Sequence, residues 1–125
     1  MISARYDTRR RALGLSVRDA ADWHGTTERT INRWNSGAQD VEHRAWHELD
    51  RLERMMEAQV DGMLQVVTDH TATGPVPLFR YRTVEELEAS PHACGLPLGA
   101  HAIMIGWLED QLEAQGIEAE IVWAE

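Results

Sequence analysis

The sequence predicts a mostly α-helical chain with a small α+β tail. Two observations carry this. Through about residue 69 the large apolar residues recur three and four positions apart, and beyond it two short stretches, "VPLFRYR" and "IEAEIVW", alternate with a period of two. At 125 residues, 43% of them apolar, the chain is long enough for one core and a smaller second one.

Leu13 and Leu15 in "RRRALGL" anchor a first helix that begins near Ser3 or Tyr6. Ser16 caps the next helix, and with Asp19 three residues on it approximates a capping box. That helix, Val17 to His24, turns Val17, Ala20 and Ala21 inward, with His24 at the margin of the face. Gly25 permits the left-handed backbone of a sharp helix end, and Thr26 or Thr27 caps a third helix at once. The third segment, "TTERTINRWNSG", holds only two large apolar residues, Ile31 and Trp34, three positions apart on one face. Thr27, Glu28, Arg29, Asn32, Arg33 and Ser36 therefore stay outside. They are donors and acceptors of the kind that read base edges and phosphates. Two short helices joined by so tight a turn make a helix-turn-helix, whose second helix enters the DNA major groove. Arg9, Arg10 and Arg11, in or near the first helix, are expected to hold phosphates without reading sequence.

The net charge of −9 argues at first sight against such a partner. The distribution of charge points the other way: residues 1–40 carry seven arginines against five acids, whereas residues 41–70 sum to −4 and residues 71–125 to −7. There is no lysine, so every positive side chain is a guanidinium fork able to grip a phosphate or a guanine edge with two bonds.

Asp40 caps a long helix predicted from Val41 to about Asp69, with Ala45, Leu49, Leu52, Met56, Val60, Met63 and Val67 as its apolar stripe. Gly62 is the point where it breaks or weakens; unbroken, its 29 residues span about 43 Å and reach a second module. The polar stretch 69–77, with Gly74 and two prolines, reads as a linker. The chain thus divides into a DNA-binding domain with its long helix, 1–70, and an α/β dimerisation domain, 71–125, of strand-helix-helix-strand order.

In the tail, Leu78, Arg80 and Arg82 share one strand face and Phe79, Tyr81 and Thr83 the other. A short helix over Val84 to Ala89 precedes the turn-rich "SPHACGLPLG". A stronger helix, about Ala100 to Gln115, follows, with Ile103, Met104, Trp107, Leu108 and Leu112 as its apolar face and Gly116 as its stop. The second strand sets Ile117, Ala119, Ile121 and Trp123 on one face, and Glu118 and Glu120 are expected to meet Arg80 and Arg82 across the strand pair. Two strands alone are marginal in water, so a second copy is expected to complete the sheet through Leu78, Phe79, Tyr81, Trp107, Leu108, Ile121 and Trp123.

The head resembles the Cro and repressor type of helix-turn-helix, also called XRE-like, with its lambda-repressor-like fold. Ala21, Gly25, Ile31, Trp34 and Gly37 match that family's small packing residue, turn glycine, two recognition-helix core positions and closing glycine. The resemblance implies base and phosphate contacts at the same six outward residues, Thr27, Glu28, Arg29, Asn32, Arg33 and Ser36. It departs from the pattern at Val17, where a phosphate-binding Gln is common, and at Thr26, where an apolar residue is usual. Trp23 stands where a solvated residue is usual and is read as packing on a neighbouring helix. The tail, "PLFRYRTVEELE" with "IGWLEDQLEAQGIEAEIVW", resembles the C-terminal dimerisation domain of the anti-CRISPR-associated repressors. That likeness implies a homodimeric transcriptional autorepressor binding double-stranded DNA at an inverted repeat in its own promoter.

Other chemistries find less support. His43, His47 and Asp50 share a helix face, but "HRAWH" lacks the glutamate of a zinc protease, so the face reads as solvated and no metal is expected. His24, His70, His92 and His101 show no common spacing and read as surface or capping residues. Cys94, the single cysteine, is a small residue that agrees with a reducing compartment. No phosphate-cradling glycine loop or nucleophile motif occurs, so neither an enzyme nor a cofactor is expected, and nothing in residues 71–125 signals an effector pocket. No apolar run approaches the roughly 18 residues that cross a bilayer, and none resembles a signal peptide, which places the protein in the cytoplasm. The rival reading is an antitoxin whose tail neutralises a toxin; it separates from the repressor by whether the tail is satisfied by its own copy.

Overall fold

The computed structural model describes residues 1–69 and 74–125; the linker's residues 70–73, with the reading of His70, lie outside the described residues. Among the described residues the chain is mostly helical with one two-stranded sheet, and its contacts group residues 1–54 and 55–125 into two units. That division falls earlier than the 70/71 boundary read from composition.

In the N-terminal unit, α1 (Arg5–Ala12), α2 (Val17–His24) and α3 (Glu28–Ser36) precede the start of α4 (His43–Thr68). Ser16 Oγ accepts the Asp19 N–H at 3.0 Å and Thr27 Oγ1 accepts the Thr30 N–H at 3.2 Å, each satisfying a helix-start amide that has no partner within its own helix. Gly25 (φ 66°) and Gly37 (φ 80°) end α2 and α3 in the left-handed region that side-chain-bearing residues avoid. α3 packs against α1 and α2, and Ile31 and Trp34 join Tyr6, Leu15, Ala20, Leu49 and Leu52 in the core. Each fully buried large aliphatic side chain there stabilises by about 1.5–3 kcal/mol.

The helix α4 begins at His43 rather than Val41 and runs unbroken through Gly62; its 26 residues span about 39 Å. Its second half belongs to the C-terminal unit, with β1 (Val76–Arg80), α5 (Val84–Ala89), α6 (Leu98–Ala114) and β2 (Ala119–Trp123). The strands are parallel, so a crossover must join them, and α5 and α6 supply it, with α6 packing on both strands. Met56, Val60, Leu78, Leu87, Met104, Leu108 and Leu112 form this core.

The parallel register corrects one expectation. Arg80 pairs with Trp123 and Glu120 with Pro77, so the acids at the start of β2 do not meet the arginines at the end of β1. The inward stripe of α6 also differs: His101, Met104, Ile105, Leu108 and Leu112 are buried, and Trp107 is half-buried. Among the described residues no helix is long and apolar enough to cross a membrane.

Candidate nucleic-acid interface

Glu28, Arg29, Asn32, Arg33 and Ser36 are all exposed on α3, and Thr27 is exposed at its cap. Thr27 is committed to capping, and Ser36 Oγ donates to the Arg33 carbonyl at 3.3 Å. The side chains of Arg29, Asn32 and Arg33 make no hydrogen bond or ion pair among the described residues, so their polar ends face solvent alone.

Behind this face the helix is moored by aromatic packing. Trp34 meets Tyr6 edge-on at 5.3 Å and His24 at 5.5 Å, and Tyr6 meets Trp46 at 5.9 Å. The Tyr6 hydroxyl, His24 Nε2 and Trp34 Nε1 are buried there with no hydrogen-bond partner among the described residues. Burial pushes the Tyr6 hydroxyl up to about 12 and pushes the His24 imidazole below its usual range, against an opposing hydrogen bond to Glu48.

The turn before α3 is fixed from the same side. Arg44 Nη1 donates to the His24 carbonyl at 2.6 Å, setting a cation on the C-terminus of α2, where the helix dipole favours it. Trp23 packs as expected of an apolar residue, its Nε1 donating to the Glu48 carbonyl at 2.9 Å and its ring covered by the Arg51 guanidinium at 4.6 Å.

The three arginines of α1 have separate fates, which corrects the expectation that all hold phosphates. Arg10 is 4% exposed: its guanidinium donates to the Leu15 carbonyl at 2.7 Å and to Asp7 Oδ1 at 2.9 Å, and is a structural tie. Arg9 is held by Asp50 at 2.9 Å and Glu53 at 3.1 Å. Arg11 remains exposed beside Asp7, whose carboxyl is held below its ordinary range first by its hydrogen bond from Arg10. Arg18, in the first turn of α2, is a further exposed cation without an ion pair among the described residues. Sequence reasoning passed over it, although the Ser16 cap just before α2 fixes its position.

The residues expected at a dimer contact divide into buried and exposed groups, with Trp107 half-buried between them. Leu78, Tyr81 and Leu108 are buried within their own unit. Phe79, Ile121 and Trp123 are 38%, 36% and 42% exposed. Trp123 lies under two guanidinium groups, Arg80 at 4.7 Å and Arg82 at 4.3 Å.

His43 and His47 meet ring to ring at 4.8 Å, but Asp50 is turned to Arg9. No group of three His, Cys, Asp or Glu side chains among the described residues is placed to hold a metal ion. The C-terminal unit does contain a half-open cavity of about 540 Å³, lined from the second half of α4, β1, residues 91–94 and α6. His101, expected at the surface, is 1% exposed and lines it. No protein-family model matches the sequence, and no curated protein is found to match it.

Proposed function

We propose that this protein is a sequence-specific DNA-binding repressor of the helix-turn-helix type, acting as a homodimer. The observation that carries the reading is α3: a helix buried only through Ile31 and Trp34, capped at both ends, with Arg29, Asn32 and Arg33 outward and unpartnered. An amide and two guanidinium forks on one solvent face suit base edges in a major groove. Arg11 and Arg18, exposed on α1 and α2, take the phosphate-holding role in place of Arg10.

The homodimer is supported by the two-strand sheet, which is marginal alone, and by Phe79, Ile121 and Trp123 left exposed on it. A twofold pair of heads reads an inverted repeat with half-sites about 34 Å apart or a multiple of that. The resemblance of the tail to the anti-CRISPR-associated repressors extends the reading to autoregulation of the protein's own operon. Selection of binding sites from random duplexes tests it. The expected product is a palindrome at fixed spacing; a pool without enrichment overturns DNA reading, and a single unpaired motif overturns the dimer.

A further inference from the structure

We propose that the cavity of the C-terminal unit is a binding site for an uncharged, mainly apolar small molecule carrying one hydrogen-bonding oxygen. Such a site stands whether or not α3 reads DNA. The cavity's volume of about 540 Å³ lies within the roughly 300–1,000 Å³ of small-molecule sites. Its walls are mostly hydrocarbon, with Met63, Val67, Leu78, Ile105 and Leu108 among them.

The polar group that selects a ligand is His101. Its side chain is 1% exposed, and Nε2 has no hydrogen-bond partner among the described residues. A buried polar atom left unpaired is costly, so a ligand with an oxygen within hydrogen-bond distance of it is favoured over an apolar ligand of the same size. The ring is held in place by edge contact with Tyr81 at 5.6 Å.

The absence of formal charge in the ligand follows from the lining. Among the described residues no Asp, Glu or Arg lines the cavity, so an ionic ligand loses its hydration with no counter-charge to replace it. His101 does not supply one: burial first, then His92 and Arg80, hold its imidazole toward the neutral form. A neutral imidazole serves a carbonyl as donor or a hydroxyl as acceptor.

Gly62 gives the test a clean handle. It lines the cavity in mid-helix, and a Cβ added there meets nothing within 4 Å. Gly62→Leu therefore adds an apolar side chain at the cavity wall whose Cβ meets no other atom, and raises helix propensity. The probe is prodan, an uncharged naphthyl ketone with environment-sensitive fluorescence, titrated into the full-length chain alongside an aminonaphthalene lacking the ketone. Saturable binding of one prodan per chain is expected. Gly62→Leu weakens it at least tenfold while the circular dichroism melt is unchanged or higher. His101→Leu weakens prodan about five- to tenfold, the effect of one lost neutral hydrogen bond, and leaves the ketone-free probe unaffected. Non-saturable binding, equal affinity in Gly62→Leu, or an affinity that falls as protein concentration rises because a second copy covers the cavity, each overturns the site. Equal loss of both probes in His101→Leu overturns the role given to Nε2. Should His101→Leu fail to fold, the Gly62→Leu comparison still decides the site.

Discussion

His24 Nδ1 stands 3.0 Å from the Glu48 carboxylate, with the imidazole wholly removed from solvent. Burial lowers the folded-state pKa despite the hydrogen bond, so the unfolded chain takes up the proton more readily. The stabilising contribution is complete above about pH 6.5, the unfolded value, and is lost as the pH falls below it toward the folded pKa. His101 contributes with the same sign. The thermal midpoint followed by circular dichroism is expected to fall from about pH 7.5 to about pH 5.5. A midpoint that is level or rising over that span refutes the argument.

Asn32 and Arg29 are exposed one turn apart on α3 and are expected to carry base discrimination. Either alanine replacement is expected to cost roughly 1–3 kcal/mol on the selected site and less on scrambled DNA. Fluorescence anisotropy on both duplexes measures this, with circular dichroism confirming the fold. Unchanged affinity for the selected site means that α3 is not the reader.

Arg10 and Arg11 are adjacent but should fail differently. Arg10→Ala leaves the Leu15 carbonyl without its buried donor, and a urea denaturation series is expected to record a loss of about 1–3 kcal/mol. Arg11→Ala is expected to leave the urea midpoint nearly unchanged, weaken all duplexes alike, and lower the salt slope by about one. If Arg10→Ala is as stable as the parent, the guanidinium tie contributes nothing.

Exchanging Ile121 and Trp123 for serine removes two of the exposed apolar side chains of β2 without emptying the core. Light scattering is expected to find a dimer for the parent at micromolar concentration and a monomer for the double variant, with the helical signal retained. A folded monomeric parent rules out the dimer.

Features decided within a few residues are legible in the sequence. Ser16, Thr27, Gly25 and Gly37 mark their helix ends through their own short-range geometry, and Ile31 with Trp34 defines a face by spacing alone. The burial of Arg10 is not legible, because it depends on a carbonyl beyond the end of its helix. The inward side of α6 is legible only in part because "AIMIGWL" is apolar on nearly every side, so periodicity does not choose between Ile105 and Trp107. The strand faces can be read, but their mutual direction cannot: a period of two is the same in parallel and antiparallel pairs. The cavity draws its walls from four separate stretches, and no local pattern announces it.

The parallel pairing also sets an order of events during synthesis. Leu78 aligns with Ile121, so β1 cannot gain its mate until α5, α6 and β2 have all been made. The contacts among α1, α2 and α3 close within residues 5–36, over shorter separations that cost less loop entropy. A chain leaving the ribosome therefore has its three-helix head assembled while the tail still carries an unmatched strand edge. Until β2 emerges, the hazard to the newborn protein is mispairing of that edge rather than loss of the head.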